Sequence, residues 1–295
     1  MWRDAGGSGL FPDGFDPIYF ADESWSRRVK LWAEAEGDAV FSGGNLHVVR
    51  QVLDDPDTGL RMVVNITADA LLSMIDAGQY YNLYDEPVIG GEPRKPTATR
   101  LQVDEMLDVG PGYYFGAVAL GGTGVRFYGE YCMVIDPRHV PAETRLFDRD
   151  SYDLLLDPLA DPPLNEEQLL RLRGRWKDDE DDVVAMALLR VLPQVGQGSR
   201  LVTSGTISEA VLKDQEFIEV HLARPFGHRE LEEVRESPDD AATELTIAER
   251  ERHGLYTSYV EREWRRRRAR VAEYLDEHAI RHRIVTLHGR GYQWK

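Results

Sequence analysis

The sequence predicts an α+β fold: a mixed, mainly antiparallel split sheet flanked by helices, with a helical C-terminal part. Three observations point there. Runs rich in β-branched and aromatic residues recur near 47–66, 113–149 and 216–223, each bounded by turn residues. Between them lie stretches whose apolar residues fall at helical spacing, and the longest of these, 246–278, is C-terminal.

Taken in order, residues 1–23 are rich in Gly, Asp and Pro and read as an irregular lead-in. Trp25, Val29, Trp32 and Ala33 then fall at helical spacing, with Ser24 as N-cap and Gly37 as stop. Two extended segments are expected next, His47–Leu53 and Leu60–Ile66, joined by the turn-like Asp54–Gly59. Thr67 can cap a helix carrying Leu71, Leu72, Met74 and Ile75, which ends at Ala77-Gly78. Residues 85–100 hold three prolines and two glycines and read as a long loop, before a short helix at Val103–Leu107.

The clearest local signal is a pair of apolar runs, Tyr113–Leu120 and Val125–Ile135, around Gly121-Gly122-Thr123-Gly124. Such a pair predicts a β-hairpin, since glycine supplies the positive φ angles of a short reversal. On the second run Arg126, Tyr128 and Glu130 alternate with Val125, Phe127 and Gly129, which puts a guanidinium, a phenol and a carboxylate on one strand face. That face is either solvated or lines a polar cleft. A third extended segment, Thr144–Arg149, follows.

Two helices are expected around Glu166–Trp176 and Val183–Leu192, separated by the acidic run Asp178–Asp182, and they suggest a helical insertion or lid at about 165–195. Glu216–Ala223 returns to a strand with Ile218, Val220 and Leu222 on one face and Phe217, Glu219 and His221 on the other. A short helix is expected at His228–Val234. The long C-terminal helical pattern breaks near Gly254, and a last extended pair is expected at Arg281–Leu287 and Gly291–Trp294. A division at about 235 separates an α+β candidate catalytic domain, 1–235, from a basic helical segment with terminal strands, 236–295.

Composition bounds the function. The 295 residues carry 52 acids against 35 bases, a net charge of −17, which argues against a protein that coats nucleic acid generally. No apolar run reaches the roughly 18 residues of a membrane span. The first residues have neither the basic start nor the apolar block of a secretory signal, and Cys132 stands alone, so cytoplasmic residence is expected, or delivery by a route that leaves no signal peptide. Walker, GxGxxG, GxSxG and HExxH signatures are all absent, and eight scattered histidines with one cysteine predict no metal centre. Cys132, mid-strand between Tyr131 and Met133, reads as a buried hydrophobe.

Three groups of residues remain as candidates. Arg265–Arg270 is a concentrated basic block that could hold RNA, a phosphate-bearing ligand or an acidic partner, or else pair with the glutamates before it. Tyr80, Tyr81 and Tyr84, just past a helix end, form either a clamp for a flat ring or a packing corner. Arg61 or Arg126, the tyrosines and the Glu219/His221 pair form a set borne on the sheet. That set suits chemistry at an anomeric carbon, with the glutamate stabilising an oxocarbenium-like centre, the arginine binding phosphate and the aromatics holding a ring. It would equally suit nucleotide binding without turnover, and a wet strand face accounts for Glu219 and His221 as well.

Three segments also resemble an uncharacterised bacterial family associated with toxin-like and secreted proteins. Asn65-Ile66-Thr67-Ala68-Asp69 is similar to its strand-ending Asn-Phe-His-Pro-Asp element. Arg126-Phe127-Tyr128-Gly129-Glu130, running on to Val134-Ile135-Asp136-Pro137, resembles its Arg-Phe-Gly segment and Leu-Lys-Pro strand end. Phe217-Ile218-Glu219-Val220-His221, followed by Arg224-Pro225, resembles its Tyr-Ile-Glu-Ala-Gln and Gly-Pro. The order of elements also looks like the ADP-ribosyltransferase superfamily. That resemblance implies NAD as substrate, Glu219 as catalytic acid with His221, Arg126 and Tyr128 beside it, an arginine near Arg61 toward the NAD phosphate, Asn65 among the cofactor-binding residues, and Tyr80, Tyr81 or Tyr84 against nicotinamide. It further implies an effector or toxin, with an antitoxin as a partner. Phe217 stands where the superfamily has the first Glu or Gln of its late-strand pair, and no Ser-Thr-Ser is present.

Overall fold

A computed structural model describes residues 24–36, 43–82, 84, 96–151, 167, 170, 172–177, 182–195, 203–212 and 217–289. Among them the helices are α1 (Trp25–Glu36), α2 (Gly43–Leu53), α3 (Ala68–Ala77), α4 (Ala98–Met106), α5 (Asp182–Val195), α6 (Ser204–Val211), α7 (Pro238–Arg252) and α8 (Tyr259–Glu277). The strands are β1 (Arg61–Ile66), β2 (Tyr114–Ala119), β3 (Gly124–Val125), β4 (Tyr131–Ile135), β5 (Arg145–Phe147), β6 (Arg173–Arg175), β7 (Glu219–Leu222), β8 (Leu231–Glu236), β9 (Arg281–Ile284) and β10 (Leu287–His288).

Eight strands form one sheet in the order β6-β5-β7-β2-β1-β4-β8-β9. Its pairs are antiparallel except β8 with β9, so the α+β, mostly antiparallel architecture stands as the sequence predicts. β3 and β10 form a separate parallel pair. The register aligns Met62 with Val118 and Ile135, Met133 with Val234, and Leu146 with Val220, and all seven are fully buried in the main core. On the opposite face Val63, Ala117 and Val134 join Val125, Cys132 and Phe217 in a smaller cluster, against which Phe127 and Leu287 pack.

β1 occupies the centre because it is apolar on both faces, and it separates the two runs on which the hairpin expectation rested. β2 and β4 each pair with β1 rather than with each other. The second run is also split. β3 ends at Val125, and residues 126–130 form a loop rather than a strand, so Arg126, Tyr128 and Glu130 do not share a strand face. Asn65 fixes that loop. Its Oδ1 accepts from the N–H groups of Phe127, Tyr128 and Gly129, and its Nδ2 donates to the carbonyls of Gly129 and Tyr131. Gly129 lies so close to β1 that a Cβ there would meet the Ile66 carbonyl oxygen at 2.1 Å.

Three further expectations are corrected. Residues 47–53 belong to helix α2: Val48, Val49, Val52 and Leu53 repeat at helical spacing, and Val49 is fully buried. The expected helix over 166–176 gives way at its C-terminal end to β6, which pairs with β5. The short helix at 228–234 is one 3-10 turn, His228–Glu230, after which β8 runs antiparallel to β4. Of the last expected extended pair, 281–287 holds β9, which pairs with β8, while 291–294 lies outside the described residues; β10 pairs with β3.

Elsewhere local chemistry acts as read. Thr67 caps α3 by accepting from the Ala70 N–H, and Gly78 ends that helix at φ 74°. Asp55 accepts from the N–H groups of Asp57 and Thr58 and closes the turn before β1. Residues 183–191 of α5 are all buried, and Asp182 accepts from the Trp25 and Arg175 N–H groups. This helix is therefore built into the core beside α1 rather than laid over it as a lid. The break near Gly254 separates α7 from α8, and α8 packs on α3. Among the described residues no helix is long and apolar enough to cross a membrane.

Candidate functional site

Glu219 and His221 project from the same face of β7, and neither is wet: they are 3% and 1% exposed. Their neighbours follow from the register. β2 places Phe115 beside His221 and β5 places Phe147 beside Glu219. The imidazole meets Phe115 edge-on, with centroids 5.2 Å apart, and lies parallel to Phe147 at 6.4 Å.

Glu219 Oε2 lies 3.0 Å from His221 Nε2 and accepts from the Ser151 N–H at 3.0 Å. Burial alone would raise this carboxyl, but the attraction and hydrogen bond of His221, the Arg100 charge and Ser151 together hold it below the usual carboxylate range. The carboxylate is therefore an anion in a dry place.

Arg100, on α4, carries the network outward. Its guanidinium lies over the Phe115 ring at 4.1 Å, donates to Ser151 Oγ at 3.4 Å and pairs with Asp104 one turn along, with Nη2 and Oδ1 2.5 Å apart. Asp104 in turn accepts from the Tyr84 hydroxyl, and burial with that hydrogen bond raises the Tyr84 phenol. Asp150 contributes a further attraction to Arg100. Two buried nitrogens retain unused hydrogen-bonding capacity, His221 Nδ1 and Arg100 Nε.

The sequence-derived set thus divides. Glu219 and His221 are together, and Tyr84 reaches them through Asp104 and Arg100. Arg61 and Asn65 point elsewhere. Arg61 pairs with Glu232 and donates to the carbonyls of Leu60 and Pro56, while the Asn65 amide is saturated by the 127–131 loop. Arg126 pairs with the buried Asp240 at 2.6 Å, at the start of the helix that follows β8, and Tyr128 is 67% exposed. Arg126 thus takes Asp240 as its carboxylate, and the guanidinium whose charge acts on Glu219 is Arg100. Tyr80 stacks on Phe226 at 5.0 Å and touches Tyr114, as a packing corner would, and Tyr81 is at the surface.

Arg100, Asp104 and Ser151 were missed by sequence reasoning. The usable signals were the i, i+4 spacing of Arg100 and Asp104, and the charged run Asp148-Arg149-Asp150 directly after β5. The basic block, by contrast, sits among acids. Arg265 pairs with Glu251, Arg266 with Glu263, Arg267 with Asp69, and Arg268 with Glu236 and Glu244. Among the described residues no group of three or more His, Cys, Asp or Glu side chains is placed to hold a metal ion. Compared with protein-family models, curated proteins and solved structures, the chain matches none.

Proposed function

We propose that the chain is an NAD-acting transferase of the ADP-ribosyltransferase type, working at the Glu219–His221–Arg100 cluster. The observation that carries this reading is the buried Glu219 carboxylate, held ionised by Arg100 and by His221, whose imidazole lies between the Phe115 and Phe147 rings. A fixed anion in a dry site is the group that stabilises a cation developing at a ribose C1′. In that reaction the bond from C1′ to the nicotinamide nitrogen breaks and its electron pair leaves with neutral nicotinamide. The nucleophile, a target side chain or water, bonds to C1′ and gives its proton to the Glu219–His221 pair. Arg100 Nε and His221 Nδ1, which have no hydrogen-bond partner, supply donors for the polar parts of a nucleotide.

Calorimetric titration of NAD into the wild type and Glu219→Gln, paired with an assay of nicotinamide release, tests the reading. Binding by both proteins with release by the wild type alone is expected. A wild type that neither binds NAD nor releases nicotinamide sinks it.

A further inference from the structure

The turn between α7 and α8 exposes apolar side chains in a way that the rest of the described residues do not. Leu255, Tyr256, Tyr259 and Val260 are 59%, 83%, 70% and 43% exposed. Single exposed hydrophobes need no explanation, but four within six residues make a patch. The patch is also held rigidly. Gly254 reverses the chain at φ 65°, and the Leu255 N–H closes the end of α7 on the Arg250 carbonyl at 2.9 Å. Ser258 and Glu261 form a reciprocal capping box at the start of α8. Arg250 pairs with Glu261 across the two helices, and Arg262 donates to the Thr257 carbonyl at 3.0 Å. A preorganised tip presenting two tyrosines loses little side-chain freedom on association.

We propose that this helical hairpin tip is the contact surface for a second copy of the chain, pairing tip to tip about a two-fold axis. Charge favours that occupant. The chain carries −17 overall, so two copies repel over most of their surface. Between 249 and 263, however, four glutamates face three arginines, and the pairs Arg252–Glu249 and Arg266–Glu263 lie at the surface on the two helices. At physiological salt, charges beyond about 8 Å are screened, so an approaching copy meets this near-neutral, mixed surface. A two-fold arrangement can set arginines of one hairpin against glutamates of the other. Stacking of single-stranded RNA on the tyrosines is less favoured, because Leu255 and Val260 offer no stacking face and the nearby arginines face carboxylates. The contact is small, so the dimer dissociates on dilution.

The test is sedimentation velocity on the full chain over about a hundred-fold concentration range, with Tyr256→Ser/Tyr259→Ser as the variant and circular dichroism to confirm its fold. Concentration-dependent dimerisation of the wild type is expected, weakened at least about ten-fold in the variant. In parallel, Tyr256→Cys should form a homodisulfide under mild oxidation while Tyr128→Cys does not. Cys132 is fully buried and gives no background. A wild type that stays monomeric throughout, a dimer that survives the double substitution, or equal cross-linking at 128 and 256 would overturn the proposal. So would retention of RNA by the tip without self-association.

Discussion

His221 Nε2 lies 3.0 Å from Glu219 Oε2 with both side chains buried, and the acid cannot be changed without disturbing the charges around it. In Glu219→Gln the Arg100 cation and His221 lose the anion between them, and breaking a buried pair of this kind costs about 3 kcal/mol. The sign with pH follows from the lowered carboxyl. Its contribution is fully present above the ordinary value of 4.5 and is lost as pH falls through the lower folded value. Urea unfolding at neutral pH should therefore separate the wild type from the variant, and the gap should close in acid. A gap independent of pH would mean that the carboxyl is not held ionised.

Asn65→Ala should destabilise the protein by about 3 kcal/mol, because three N–H groups and two carbonyls of the 127–131 loop lose their partner together. The variant should also be cleaved faster between 126 and 130 in limited proteolysis. A loss below about 1 kcal/mol with unchanged cleavage would show that the loop is held by Phe127 packing instead.

Neighbours in the arginine block should respond very differently. Arg268 is buried, pairs with Glu236 and Glu244, and lies over the rings of Tyr131 and Trp264. Arg266 is largely exposed beside Glu263. Thermal unfolding should place Arg268→Ala well below the wild type, by about 3 kcal/mol, and Arg266→Ala close to it. Equal losses would mean that the block acts as one charged surface and not as one core residue among surface pairs.

That contrast also shows where the sequence is legible. Periodicity and punctuation are local, so Ser24, Thr67, Gly78 and Gly254 mark helix ends correctly, and the alternation in β7 puts Val220 and Leu222 into the core. Which strands become neighbours is decided by long-range packing. Nothing in 113–135 announces that β1 will lie between its two runs, or that Asn65, sixty residues earlier, will turn 126–130 into a loop. The site divides the same way. Glu219 and His221 share a face by period two, while Arg100 reaches them through the docking of a helix from another part of the chain. Arg126 and Arg61 find their carboxylates, Asp240 and Glu232, more than a hundred residues away.

The Arg126–Asp240 pair yields a prediction with the opposite pH sign to Glu219. Burial pushes the Asp240 carboxyl up to about 6, opposed by Arg126 and Arg268 and reinforced by Glu130 and Glu236. Between the ordinary 3.8 and about 6 the folded chain holds a proton that the unfolded chain releases, so this group favours the folded state increasingly as pH falls through that window. Asp240→Asn has no proton to take up. The melting temperature of the wild type relative to Asp240→Asn should therefore rise as pH is lowered from neutral to about 5, whatever the absolute difference at neutral pH, where the variant loses the Arg126 ion pair but no longer buries an anion. A difference constant over that range would place the Asp240 carboxyl at its ordinary value. The Arg126 side of the pair would then outweigh burial, leaving an ion pair that stays fully charged throughout.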